Sequence, residues 1–227
     1  MATGGRKTNW FAIWVSVAVV AVLVVVGVVV VVLNNQATAP GEPPQSANID
    51  AKTGAIHVGD GPDVVATYVD FMCPVCGAFE EAYGETLAGL VDDGSITLDI
   101  HPIAILDSKS QGTAFSTRAA NAMYCVAESS PDASLAFLQE MFANQPPEPS
   151  AGLTDDQIIA FAETAGAAGA APCIADQTYA KFVTAMTQST PPDPATGNIG
   201  TPTVVVNGER LTLTGDPQVD IVDRLQG

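Results

Sequence analysis

Two cysteines separated by two residues lie where a predicted strand leads into a predicted helix. Cys73 and Cys76 follow the apolar and β-branched run 64–69, and Pro74 stands in the first turn of the helix, where its missing N–H costs nothing. The start of a helix carries partial positive charge, which favours the thiolate form of the first cysteine. A thiolate beside a second thiol is the minimum that thiol–disulfide exchange requires. The motif therefore constrains the chain to a strand–turn–helix unit with both sulfurs at the turn.

Two other interpretations of this pair have less support. A zinc site needs two more ligands, and the remaining cysteines and both histidines are isolated along the sequence. A purely structural disulfide between Cys73 and Cys76 closes a loop too short to remove much entropy from the unfolded chain. We therefore expect a redox pair and no metal.

Residues 10–33 form a nearly uninterrupted apolar run dominated by valine. As a helix this run spans about 36 Å, which is enough to cross a bilayer with some tilt. Arg6 and Lys7 precede it and no basic residue follows until Lys52, so the positive-inside rule places the N-terminus in the cytoplasm. The run is longer than the roughly 7–15 apolar residues of a signal peptide. We expect an uncleaved anchor in the cell membrane, with secretion after cleavage near Ala39 as the alternative.

The charge of the chain is strongly asymmetric. All 25 acidic residues but only six of the eight basic ones follow position 40, which gives that part a net charge of −19. A domain of this charge repels phosphate backbones, so we expect no nucleic-acid partner. On either interpretation of the apolar run the cysteines lie outside the cytoplasm, where disulfides persist.

Composition divides the chain into four parts. Residues 34–49 contain three prolines among small and polar residues, which is typical of an extended linker. We therefore expect a cytoplasmic tail at 1–9, the membrane span at 10–33, the linker at 34–49 and a folded domain at 50–227.

The folded domain alternates strands and helices at both ends and is helical in its middle. Thr154 and Gln157 fit a capping box, and Asn207-Gly208 is a strong hairpin signal. The middle helices form an insertion at about 107–195 between two α/β halves. In chain order the predicted elements are strands 55–58 and 64–71, helix 74–91, strand 96–100, helices 113–128, 133–143, 154–166 and 173–188, strands 203–206 and 210–213, and helix 218–225.

The second pair of cysteines has a different character. Cys125 and Cys173 are 48 positions apart and both fall on predicted helices. A disulfide between them closes a long loop and is worth about 3–4 kcal/mol in the chain-entropy model. We interpret the pair as a structural disulfide. Two buried free thiols are disfavoured in an oxidising compartment, and a second redox pair remains an alternative.

A proline precedes the strand at 203–206. Pro202 is compatible with the common placement of proline at the start of a strand. A cis peptide bond between Thr201 and Pro202 would instead turn the backbone of Thr201 toward the cysteines, where it could pair with an extended substrate segment. The sequence leaves both interpretations open.

The acidic residues near the motif are explained more simply by structural roles than by a role in proton transfer. Asp70 could accept a proton from Cys76, but a role at the strand end or the helix entry is simpler. Glu80 and Glu81 fall on the second turn of the helix and are interpreted as a solvated face.

Together these motifs resemble a DsbA-type thiol:disulfide oxidoreductase of the thioredoxin fold, in the membrane-anchored form of high-GC Gram-positive bacteria. The resemblance rests on C-P-x-C at 73–76, the length of the helical insertion and G-T-P-T at 200–203, and it extends from about residue 55 to the end. It implies an α/β fold class, namely a thioredoxin fold with an all-helical insertion, preceded by one N-terminal transmembrane helix.

The resemblance also implies a role for each motif residue. Cys73 would be the exposed attacking cysteine, Cys76 the buried resolving one, Pro202 the cis proline and Thr201 a contact to the substrate backbone. The implied activity is the formation of disulfides in exported proteins that have reduced cysteines. The cysteine pair is then the redox centre without a further cofactor, and an integral-membrane, quinone-linked partner reoxidises it.

One residue departs from the pattern of the family. Many strong oxidants of this type have a histidine where Val75 stands, and that histidine helps to stabilise the thiolate. A valine side chain cannot donate a hydrogen bond, and a less stabilised reduced form makes the pair less oxidising. A disulfide reductase or isomerase that uses the same pair is therefore the first alternative. A non-catalytic thioredoxin-like binding module is the second.

Overall fold

The computed structural model describes residues 9–38 and 41–226, which belong to two separate compact units. The first unit is the helix α1 (Trp10–Thr38), in which Ile13–Asn34 is long and apolar enough to span a membrane. The helix continues past the expected end of the span at residue 33, because no glycine or proline interrupts residues 34–38. An apolar helix at this position is compatible with a membrane anchor or a signal sequence.

The second unit is built on a five-stranded mixed sheet with the order β1-β3-β2-β4-β5. Strands β2 and β3 run parallel, and the other neighbouring pairs run antiparallel. The register pairs Tyr68 near the end of β2 with Thr203 at the start of β4, so the segments that adjoin these ends meet at one edge of the sheet. The strands are β1 (Ile56–Val58), β2 (Asp63–Val69), β3 (Ile96–Pro102), β4 (Thr203–Val206) and β5 (Glu209–Arg210).

The helix α2 (Pro74–Asp92) leaves this edge of the sheet directly after β2. It buries Phe79, Tyr83 and Leu87, which are spaced four residues apart and therefore share one face of the helix. The polypeptide then returns as β3, parallel to β2. The cysteine motif thus occupies the strand-to-helix turn that the sequence predicts.

Five helices follow between β3 and β4 and form the expected insertion. The capping box of Thr154 and Gln157 is confirmed at the start of the third of them. The single helix predicted at 173–188 is two helices, because Gln177 has a left-handed backbone and the N–H of Tyr179 donates to Asn121 Oδ1 at 2.7 Å. The helices are α3 (Phe115–Ser129), α4 (Ser134–Ala143), α5 (Asp155–Thr164), α6 (Ala171–Ala175) and α7 (Ala180–Ser189).

The C-terminal helix α8 (Pro217–Asp220) is shorter than the predicted helix at 218–225. Its last residue, Asp220, is buried and accepts hydrogen bonds from the Tyr83 hydroxyl and from the Thr214 N–H. The bond with Tyr83 attaches α8 to α2.

Residues 41–49, expected to be part of a linker, pack against the folded domain. Ile49 is buried and forms a β-bridge with Ile56, and the Gln45 N–H donates to Glu128 Oε1 at 2.7 Å. The described part of the domain therefore begins at residue 41 rather than near residue 50. The burial of the apolar Ile49 side chain stabilises this segment against the domain. The proline-rich composition does not indicate such a contact.

Candidate functional site

The sheet brings the cysteine motif and the Thr201-Pro202 segment together. Cys73 directly precedes α2, and Pro202 directly precedes β4, the antiparallel neighbour of β2. The Thr201–Pro202 peptide bond is cis, and the Cys73 sulfur lies 3.6 Å from the Thr201 carbonyl oxygen, to which it donates when protonated. Two segments 128 positions apart in sequence therefore form one site.

The two thiols of the motif are free, and they differ in exposure. Cys73 is 7% exposed and Cys76 is completely buried. Cys73 is thus less exposed than the family resemblance implies, because the backbone of Thr201 lies against its sulfur. Val75, by contrast, is 60% exposed and is the apolar side chain that the motif presents to solvent.

The two thiols also differ strongly in acidity. The hydrogen bond from the Cys76 thiol lowers the pKa of Cys73 to about 5, with further contributions from Thr201 and from the backbone N–H groups of Cys76 and Val75 that outweigh burial. Burial and the neighbouring Cys73 sulfur raise the pKa of Cys76 far above its ordinary value. These shifts favour the thiolate form of Cys73 and the thiol form of Cys76 at neutral pH, and a thiolate is the more reactive nucleophile.

Asp70 organises the turn that leads into the motif. Its carboxylate is completely buried and accepts hydrogen bonds from the Met72 N–H at 2.9 Å, the Leu106 N–H at 2.9 Å and the Ser116 hydroxyl at 2.7 Å. Burial raises its pKa to about 6 in spite of these three bonds. The simpler interpretation of Asp70 fits this geometry, since its carboxylate joins the end of β2 to the insertion.

Gln145, in the loop after α4, is a site residue that sequence reasoning missed. Its side-chain Nε2 donates to the carbonyl oxygens of Phe71 at 3.1 Å and of Cys73 at 2.9 Å. The loop is rich in proline, which predicts only that it is a loop. Nothing in the sequence connects position 145 with the cysteines, because the contact depends on how the insertion packs.

A groove of about 810 Å³ runs from Pro74 along α2, with Phe142 and Gln145 on its other side. Glu80 lies in it, half-buried, and its carboxyl occupies the space that a side chain at Gly84 would need. Glu80 is therefore not part of a solvated face, as the sequence suggests. Burial raises its pKa to about 7, and in the described part of the chain its carboxyl makes no hydrogen bond or ion pair.

Replacing Glu80 with glutamine is expected to raise the free energy of unfolding at pH 8 by about 1–3 kcal/mol and to leave it unchanged at pH 4. A carboxyl whose pKa is raised by folding stabilises the fold fully below about 4.5, its ordinary value, and loses this contribution as the pH rises through about 7. Denaturant unfolding of both proteins at the two pH values measures the difference. Glu81 is exposed, so Glu81→Gln is the matched control. An equal rise in the free energy of unfolding in Glu81→Gln at pH 8, or in Glu80→Gln at pH 4, would contradict the raised pKa of Glu80.

Cys125 and Cys173 form a disulfide that joins α3 to α6 within the insertion. Cys125 is buried, whereas Cys173 is partly buried. The bond leaves Cys73 and Cys76 as the free cysteines of the chain. Within residues 9–38 and 41–226, no three or more histidine, cysteine or acidic side chains are grouped so that they could hold a metal ion.

Known proteins are similar to this chain to different extents. A family model described as Thioredoxin matches residues 52–222. The serine/threonine-protein kinase PknE of Mycobacterium tuberculosis is 33% identical over 139 residues, or 57% of this chain, and the chain spans only 24% of the length of that kinase.

Two solved structures from Mycobacterium tuberculosis are similar over most of their length. Reduced DsbA is 34% identical with a TM-score of 0.61, and the match covers 70% of this chain and 85% of that one. The reduced form of the disulfide bond oxidoreductase DsbG is 32% identical with a TM-score of 0.63, and that match covers 82% of this chain and 86% of the other. The expected fold class is thereby confirmed, and the chain belongs to the thioredoxin family, in the group of DsbA-type thiol–disulfide oxidoreductases.

Proposed function

We propose that this protein is an extracytoplasmic thiol:disulfide oxidoreductase that forms disulfides in exported proteins through Cys73 and Cys76. The observation that carries the proposal is the difference in acidity between two adjacent thiols beside the Thr201 carbonyl. A low pKa makes Cys73 a good leaving group, and the partly buried peptide group of Thr201 beside it would offer a hydrogen-bonding partner for an extended substrate. No cofactor besides the cysteine pair is needed for this chemistry.

The proposed reaction takes two exchange steps. In the oxidised protein a substrate thiolate attacks the Cys73 sulfur, the bond between Cys73 and Cys76 breaks, and Cys76 leaves and takes up a proton. A second substrate thiolate then attacks the substrate sulfur of the mixed disulfide, and Cys73 leaves as a thiolate. The substrate loses two electrons and gains a disulfide, while the protein gains the two electrons and becomes a dithiol.

The direction of exchange follows from the stability of the reduced form. A Cys73 pKa of about 5 lies between those of thioredoxin, about 7, and of DsbA, about 3.5, whose potentials are about −270 and −120 mV. We expect the Cys73–Cys76 pair to have a reduction potential between these two values, clearly above that of thioredoxin. Equilibration of the full-length protein with glutathione buffers measures it. A value near or below that of thioredoxin would assign the protein to the reductases instead.

The surroundings of the domain support the rest of the proposal. The segment Ile13–Asn34 of α1 is long and apolar enough to span a membrane and is not buried in the structure, which suits an anchor in the cell membrane, and the basic residues that precede α1 suit a cytoplasmic N-terminus. The catalytic domain then lies outside the cytoplasm, where its substrates are exported proteins with reduced cysteines. An integral-membrane, quinone-linked protein would reoxidise the dithiol. The net charge of −19 after position 40 argues against a nucleic-acid partner.

A further inference from the structure

The first turn of α2 lacks a cap of its own. The residue that precedes the helix is Cys73, whose side chain makes no capping hydrogen bond. Its carbonyl oxygen accepts the first two bonds of the helix, from the N–H of Cys76 at 3.0 Å and of Gly77 at 3.2 Å. The orientation of this turn decides where the N–H groups of Val75 and Cys76 point, and both lower the pKa of the Cys73 thiol.

Gln145 reaches this turn from the insertion. Its amide nitrogen has two hydrogens, and the structure directs them to two carbonyls, those of Phe71 and Cys73. Asp70 holds the intervening Met72 N–H from within the core. The backbone from Phe71 to Cys73 is therefore fixed by side chains at each of its three residues, and the contact at both ends comes from Gln145.

Gly77 provides an independent observation. A Cβ at this position would overlap the side-chain oxygen of Gln145. Gly77 lies inside α2, where glycine costs about 1 kcal/mol relative to alanine. The close approach of Gln145 gives a physical reason for a residue that otherwise weakens the helix.

We propose that Gln145 is a positioning residue of the exchange site, which holds the first turn of α2 so that backbone N–H groups face the Cys73 sulfur. The proposal rests on the proposed exchange chemistry at Cys73. Its direct readout is the ionisation of that thiol, which does not depend on substrate, on turnover or on the direction of exchange.

The test is the pH profile of Cys73 alkylation by iodoacetamide, measured by mass spectrometry on the reduced full-length protein in detergent. Gln145→Ala is expected to move the midpoint of the profile upward by about 0.5–1 in pH, because about 1 kcal/mol of hydrogen bonding is lost from the turn that stabilises the thiolate. The equilibrium constant for oxidation of glutathione by the pair should fall about three- to tenfold, which is about 15–30 mV.

Two further variants keep the test decisive. Gly77→Ala retains Gln145 but displaces its amide, so it should shift the profile in the same direction, and the double variant should shift it no further than Gln145→Ala alone. Gln139 also lines the groove but makes no hydrogen bond to the turn, so Gln139→Ala should leave the profile unchanged. If Gln145→Ala does not fold, Gly77→Ala gives the answer by itself.

The outcomes separate the two proposals. An unshifted profile in Gln145→Ala or Gly77→Ala, together with altered thermal stability, would show that Gln145 is only structural and would overturn the inference. The wild-type protein could instead show a low midpoint in its alkylation profile and yet fail to oxidise substrate. That result would count against the proposed function and would leave the role of Gln145 intact.

Discussion

Replacing Cys73 with serine is expected to reduce the oxidation of a reduced, unfolded substrate to the rate measured without protein. Only a thiolate attacks or leaves in thiol–disulfide exchange, and a serine hydroxyl has neither property at neutral pH. Serine is close in size to cysteine and can still donate to the Thr201 carbonyl, so the site should keep its shape. Recovery of activity by a disulfide-dependent enzyme, such as reduced ribonuclease, measures the loss.

Cys76→Ser supplies the matched control for this prediction. It retains the nucleophile but lacks the resolving thiol. When it is mixed with an oxidised substrate, its Cys73 thiolate should attack a substrate disulfide, one substrate sulfur should leave as a thiolate, and the mixed disulfide that non-reducing electrophoresis detects should accumulate. Substrate oxidation by Cys73→Ser at the wild-type rate would exclude Cys73 as the nucleophile. The absence of an adduct in Cys76→Ser together with inactive wild-type protein would favour a binding module that keeps the fold without the chemistry.

The sequence predicts those features of the site whose residues lie close together along the chain. The spacing of Cys73 and Cys76, the helix start at Pro74 and the strand that precedes them all lie within about a dozen residues, where propensity and periodicity act directly. Thr201 and Pro202 lie far from the cysteines along the chain. From sequence their connection with the cysteines depends on a cis peptide bond, which the sequence leaves open, and on the family resemblance. The pairing of β2 with β4 accounts for that connection physically.

The contacts that sequence did not predict join the insertion to the motif. Ser116 and Gln145 reach the turn from the start of α3 and from the loop after α4, and neither residue type is unusual in such a place. Their positions depend on how five helices pack, which a single sequence does not determine. The prediction that Glu80 lies on a solvated face is wrong for the same reason. The groove that half-buries this side chain is formed partly by the insertion.

The structure also refines the argument about Val75. The valine side chain is exposed and contributes no hydrogen bond to the sulfur, as the sequence implies. Its backbone N–H nevertheless lowers the pKa of Cys73, together with the N–H of Cys76. Stabilisation of the thiolate in this chain therefore comes from the buried Cys76 thiol, from Thr201 and from the backbone. For that reason, we expect the conformation of the first turn of α2 to affect the strength of the pair as an oxidant.

Removing the disulfide of the insertion, by replacing both Cys125 and Cys173 with alanine, is expected to lower the free energy of unfolding by about 3–4 kcal/mol. The bond closes a loop with a sequence separation of 48, so its loss restores much entropy to the unfolded chain. For a domain of this size the change corresponds to a fall in Tm of about 10 °C. Thermal unfolding of the two proteins, followed by circular dichroism, measures it.

The same variant decides between a structural and an electron-relaying pair. A structural disulfide predicts that the variant, assayed well below its Tm, oxidises substrate at the wild-type rate, since Cys73 and Cys76 are free in the folded protein and bonded to neither residue. It also predicts that mild reductant opens the Cys73–Cys76 bond first, because the low pKa of Cys73 makes its sulfur the better leaving group. Unchanged stability combined with slow turnover would contradict this assignment and identify Cys125 and Cys173 as a second redox pair.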